Sequence, residues 1–203
     1  METVDNYQQA AVYFERKDFS SAQKILSDLS VENPADFDVL NFLGIIMLNF
    51  GSYNEAISYF ERVIAICELH PIAHYNLGLC LHHLKDTQAA CLHYKRAVEL
   101  KPDYIDAINN LGVAFLDLKD FPEAEKNFNT VITLQPDNGK AFNNRGNLFY
   151  NQDKFDLAEK DYQTAIKLEP CNPEFNFNIG NCYMQQKKLN EALQYFFKAL
   201  ELK

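Results

Sequence analysis

An all-α array of six stacked helical hairpins is predicted by three features of the sequence: a fixed repeat, a ladder of small and large residues inside it, and helical spacing of apolar positions. Five of the seven glycines, Gly44, Gly78, Gly112, Gly146 and Gly180, stand 34 residues apart, which marks a repeat architecture before any single residue is weighed. Setting them in column 8 divides the chain into repeats 3–36, 37–70, 71–104, 105–138, 139–172 and 173–203, read as one array over 1–203. Column 20 then holds Ala22, Ala56, Ala90, Ala124, Ala158 and Ala192, and column 24 holds Leu26, Phe60, Tyr94, Phe128, Tyr162 and Phe196. Apolar residues within each repeat recur three and four apart, as on an amphipathic helix.

Each repeat reads as two helices broken near columns 15 to 17, at Lys17-Asp18-Phe19, Gly51-Ser52-Tyr53 and Lys119-Asp120-Phe121-Pro122. Asp120 before Pro122 is expected to start a helix, because aspartate caps free amides and proline is tolerated in the first turn. Pro34, Pro102, Pro136 and Pro170, all in column 32, are expected to end second helices, with Pro71 taking that part in the second repeat. The small residues of columns 8 and 20 let two helices approach, and the large residue of column 24 fills the groove beside them. A lone hairpin cannot bury its apolar face, so neighbours stack into a solenoid.

Composition narrows the partners. The formal net charge is −9 and no run of lysine or arginine occurs, so the attraction that drives binding to nucleic-acid phosphates is missing. Residues 1–5 carry neither a basic region nor an apolar run, and no stretch has the roughly 18 consecutive apolar residues of a membrane span. A soluble, cytoplasmic chain with no direct membrane insertion is the expectation. Five cysteines without a paired framework suit reduced thiols.

The sequence resembles the tetratricopeptide repeat family, whose signature is reproduced closely by Leu77-Gly78, Leu111-Gly112, Ala124, Phe128 and Pro136. Departures are the missing tryptophan in column 4, Arg145 where leucine is usual, and Gln9-Ala10 in place of Leu-Gly, which makes the first repeat degenerate. The resemblance implies a right-handed α-α superhelix whose first helices line a concave face. Columns 2, 5, 6, 9, 12 and 13 would then face a groove. They supply Tyr7 and Phe14; Asn41, Ile45 and Leu48; Tyr75, Asn76, Leu79 and His82; Asn109, Asn110, Val113 and Leu116; Asn143, Asn144, Asn147 and Tyr150; and Phe177, Asn178, Asn181 and Met184.

Eleven of the twenty asparagines fall in these columns, although asparagine costs about 0.5 kcal/mol inside a helix relative to alanine. A carboxamide both donates and accepts, which suits it to gripping the backbone of an extended peptide. The arrangement is similar to the asparagine-lined superhelix of O-linked N-acetylglucosamine transferases. The plainer alternative is that these amides bond neighbouring backbone. The cations of a carboxylate clamp for chaperone tails are absent, and Lys140 is the one groove cation in column 2. An amphipathic helix on Ile45, Leu48, Tyr75, Leu79, Val113 and Leu116 is the other ligand the groove suggests.

All five histidines lie between His70 and His93, with Cys67, Cys80 and Cys91 among them, a density that invites a zinc reading. Their columns scatter them over different faces, so structural cysteines, surface histidines and no metal are expected. No catalytic or phosphate-binding motif occurs, and Glu123 and Glu125 are read as solvated surface. The expected function is a non-catalytic scaffold or adaptor with no cofactor, binding a protein or peptide. The alternatives are a substrate-recruiting arm of a larger enzyme such as a glycosyltransferase and a chaperone for a secreted protein. Leu193, Phe197 and Leu200 on the last helix are expected to remain open to a second copy or to further sequence.

Overall fold

The computed structural model describes residues 2–202, all-α among the described residues. Twelve helices pair into six hairpins: α1 (Glu2–Glu15) with α2 (Phe19–Glu32), α3 (Phe37–Asn49) with α4 (Tyr53–Ile66), α5 (Pro71–His83) with α6 (Thr87–Leu100), α7 (Ile105–Asp117) with α8 (Phe121–Leu134), α9 (Gly139–Asn151) with α10 (Phe155–Leu168), and α11 (Pro173–Gln185) with α12 (Leu189–Glu201). The hairpins group into two compact units, Met1–Pro102 and Asp103–Lys203.

One device makes the turn in every hairpin. Column 15 has positive φ throughout, at Lys17, Gly51, Lys85, Lys119, Asp153 and Lys187. The next backbone N–H reaches back five residues, as Asp18 N does to Tyr13 O at 2.9 Å and Asp120 N to Phe115 O at 2.9 Å. This left-handed closure satisfies carbonyls that the end of the first helix would otherwise leave free. Only one repeat uses glycine there. The aspartates that follow, Asp18, Asp86 and Asp120, accept from Ser21 N, Ala89 N and Glu123 N and so start the second helix.

The prolines of column 32 stand two residues beyond the ends of α2, α6, α8 and α10, as expected. Pro71 departs from expectation. Helix α4 ends at Ile66 without any proline, its final turn closed by Cys67 N donating to Val63 O at 2.8 Å. Pro71 instead opens α5, where its missing N–H costs nothing.

Column 8 explains the close approach of paired helices. A Cβ added to Gly112 would stand 2.6 Å from the Phe128 ring, and one added to Gly44 would stand 2.6 Å from Phe60. The first hairpin keeps the same fit with the volumes exchanged, since Ala10 replaces glycine, Leu26 replaces the aromatic, and both are buried. In the first unit α2 packs on α3 and α4 on α5; in the second, α8 packs on α9 and α10 on α11. First helices also touch, α3 with α5, α7 with α9 and α9 with α11. Each unit therefore presents a continuous wall of first helices.

Candidate peptide-binding groove

In the first unit the wall is aromatic and aliphatic. Asn41, Ile45, Leu48, Tyr75, Leu79 and His82 are half-buried, while Asn76 is buried. Tyr7 meets Phe42 edge-on with centroids 6.0 Å apart, and Phe14 meets Phe42 at 5.0 Å. His83 stacks on Tyr53 at 4.6 Å. A cavity of about 180 Å³ opens between Leu79, His82, His83 and Lys85. Two polar atoms are buried here with no hydrogen-bond partner, Asn41 Oδ1 and Tyr94 Oη.

The second unit replaces the aromatic contact with amide rungs. Asn144 Nδ2 donates to Asn109 Oδ1 at 2.9 Å, and Asn178 Nδ2 donates to Asn143 Oδ1 at 2.9 Å. In each rung column 6 of one repeat donates to column 5 of the repeat before it, the pair of columns that holds Tyr7 and Phe42, and then Asn41 and Asn76, in the first unit. Asn109 Nδ2 turns to Asn110 Oδ1 at 3.5 Å, and Asn143 Nδ2 to Glu174 Oε1 at 3.4 Å. Asn143 is only 1% exposed and acts inside the ladder. Asn110, Val113, Leu116, Asn144, Asn147, Tyr150, Asn178 and Asn181 are half-buried, and Phe177 is 52% exposed.

Not every groove-column asparagine joins a rung. Asn49 and Asn151, in column 13, donate to the backbone carbonyls of Ile45 and Asn147, each at 2.8 Å. Asn147 Oδ1 accepts from the Tyr162 hydroxyl at 2.7 Å. The plainer reading, amides bonding neighbouring backbone, thus describes the column 13 asparagines, while those of columns 5 and 6 bond one another.

Arg145, noted in the sequence only as a departure from leucine, builds a buried network. Its Nε and Nη2 donate to Asp161 Oδ2 and Oδ1 at 2.7 and 2.8 Å, and its Nη1 to Asn129 Oδ1 at 2.6 Å. The guanidinium also lies over the Phe142 and Phe149 rings. The hydrogen bonds to Asp161 hold its pKa above the ordinary value against the opposing effect of burial. Phe42 and Glu174 were not singled out in the sequence, although their columns, 6 and 2, are groove columns.

The histidine-rich stretch is structural. His74, whose column faces packing neighbours, is buried, with Nε2 3.0 Å from Glu68 O and Nδ1 3.2 Å from His93 Nδ1. Burial pushes the Cys80 thiol up to about 12, which leaves it an inert core group. Among the described residues, no group of three or more histidine, cysteine or acidic side chains is placed to hold a metal. Glu123 and Glu125 are half-buried rather than fully solvated, with Glu123 paired to Lys126 at 3.4 Å. On the last hairpin a cleft of about 460 Å³ is lined by Pro173, Glu174, Phe177, Phe196, Ala199 and Leu200, beside the exposed Leu193 and Phe197. Among the described residues, no helix is long and apolar enough to cross a membrane.

A family profile described as tetratricopeptide repeat matches residues 71–104, 105–138, 139–170 and 173–203, and a second of the same description matches 7–71. Intraflagellar transport protein 70A of Danio rerio is 30% identical over 91 residues, a match that covers 45% of this chain and 14% of that protein. A tetratricopeptide repeat protein from Parabacteroides merdae superposes with a TM-score of 0.86 at 17% identity, over 99% of this chain and 80% of its own. YrrB, described as a tetratricopeptide repeat protein with an unusual peptide-binding site, superposes with a TM-score of 0.67 at 16% identity, over 88% of this chain and 92% of its own.

Proposed function

Because this chain belongs to the tetratricopeptide repeat family, we propose that it acts as a non-catalytic adaptor whose first-helix face holds an extended segment of a partner protein. The observation that carries this reading is the pair of amide rungs, Asn144 on Asn109 and Asn178 on Asn143. With Asn143 buried behind them, the half-buried amides of Asn109, Asn144 and Asn178 are preorganised for main-chain contacts, so binding need not order them again. The peptide-binding site named for YrrB is consistent with such a use of this fold.

Immobilised wild-type chain and the double variant Asn110→Ala/Asn144→Ala test this by affinity capture. The variant is expected to lose most of the proteins that the wild type retains, while far-ultraviolet circular dichroism confirms that it stays folded. Equal recovery of the same proteins by both would sink the groove reading.

A further inference from the structure

The amides of the second unit are not free to face either way. A carboxylate can only accept, so the contact of Asn143 Nδ2 with Glu174 Oε1 at 3.4 Å turns Asn143 Oδ1 toward Asn178. Asn178 must then present its Nδ2 to that oxygen, which it does at 2.9 Å. Its own Oδ1 is then turned toward a ligand, beside the second hydrogen of Nδ2. The neighbouring rung runs the same way, with one hydrogen of Asn144 Nδ2 on Asn109 Oδ1 and Asn144 Oδ1 turned away from it. A repeated acceptor therefore lines this stretch of wall.

Charge points in the same direction. Helices α7, α9 and α11 carry exposed Asp106 and Glu174 in column 2, against Lys140 in the same column. Arg145, the other cation of these three helices, is already held by Asp161. We infer that the first-helix face of α7, α9 and α11 selects a basic, extended peptide, whose N–H groups and lysine or arginine side chains meet Asn144 Oδ1, Asn178 Oδ1 and the carboxylates of Asp106 and Glu174. This rests on the groove reading proposed above and names the partner's chemistry. An exposed carboxylate in such a contact is worth roughly two- to five-fold in affinity at low salt, so the two together select without binding tightly by themselves.

Fluorescence anisotropy with the full chain tests it, using three labelled peptides of about 16 residues in which serine alternates with lysine, glutamine or glutamate. The lysine peptide is expected to bind about ten-fold more tightly than the glutamine peptide, with the glutamate peptide weakest. Asp106→Asn/Glu174→Gln should remove most of that preference. Asp137→Asn/Glu191→Gln, an equal change of charge off the groove, should keep it. If the three peptides bind alike and Asn144→Ala weakens them all, groove binding stands and the selection of basic segments is wrong. If both charge pairs reduce the preference equally, bulk charge explains it and the inference fails. If none of the peptides binds, both readings fall together.

Discussion

Tyr94 in the first unit and Tyr162 in the second occupy the same column, each ring against a glycine at a distance no Cβ could share. Their hydroxyls meet different fates. Tyr162 donates to Asn147 Oδ1 at 2.7 Å, whereas the residue in the column of Asn147 is Leu79 in the repeat of Tyr94, and the buried Tyr94 hydroxyl has no partner. Burial pushes the pKa of both phenols up, but only in the second unit does a polar neighbour compensate for the buried oxygen. A related contrast lies between α1 and α3, where Tyr7 and Phe42 stand edge-on in the columns that asparagine rungs take in the second unit. The same backbone is thus joined by aromatic contact between α1 and α3 and by hydrogen-bonded amides between the first helices of the second unit. Contacts made by shape tolerate loss of a polar atom; networks do not.

The largest expected effect falls on the second unit. Asp161 is buried and takes two bonds from Arg145, so Asp161→Ala leaves the guanidinium without its counter-charge and is expected to cost about 3 kcal/mol. Since the Arg145 side chain keeps 22% of its exposure, the low end of the range for a broken buried pair applies. Arg145→Leu/Asp161→Leu should recover most of the loss, because leucine fills that column at Leu43, Leu77 and Leu111. Urea denaturation measures the cost, and hydrogen exchange should place it within Asp103–Lys203. A double variant as unstable as the single one would mean that packing, not charge, decides the site.

A smaller effect has opposite signs in the two units. Tyr162→Phe removes a made hydrogen bond and is expected to destabilise by about 1 kcal/mol. Tyr94→Phe removes an unpaired buried hydroxyl and is expected to be neutral or to stabilise by up to about 1 kcal/mol. Thermal denaturation of the two variants side by side gives the comparison directly. Equal losses would show that the two hydroxyls have equivalent surroundings.

Hairpin count and the glycine–aromatic fit were legible in the sequence because each follows from residue size at a fixed offset. The left-handed turn was less so. Lysine stands at four of the six column-15 positions, and a lysine gives no local sign that its φ is positive. Pro71 was misread because a proline between two helices can end one or begin the next, and only the hydrogen bonds decide. The partition of the asparagines was not readable: whether an amide bonds a neighbouring repeat, as Asn144 does, or its own helix, as Asn151 does, depends on what stands opposite. Arg145 appeared as a departure from pattern, and its meaning waited on Asp161 sixteen residues away.

Acid should separate the units by the mildest perturbation, because all five histidines lie in the first. His70 Nδ1 accepts from Ala73 N at 3.0 Å and caps α5, which requires an unprotonated nitrogen. His74 Nε2 must donate to Glu68 O, so its Nδ1 accepts and His93 Nδ1 donates; a proton on His74 Nδ1 would set two N–H groups against each other. Burial lowers the pKa of His70 and His93 below the ordinary 6.5, and the positive charge His74 can take lowers both further, while Asp38 pulls His70 back up. Glu68, whose carbonyl takes the His74 bond, pairs with Arg96 at 4.0 Å. With folded values below 6.5, the unfolded chain takes up protons first. Stability from these groups is complete above about pH 6.5 and falls as the pH drops through 6.5 toward the lowered values. The second unit responds later. Burial tends to raise the pKa of Glu159, but hydrogen bonds from Gln186, Lys188 and Tyr183 outweigh it and hold the value below 4.5, so that contribution is full above 4.5 and lost only below it. Hydrogen exchange at about pH 7.5 and 5.5, corrected for intrinsic rates, should show protection falling in Met1–Pro102 and holding in Asp103–Lys203. Equal losses in both units would remove the histidines as the cause.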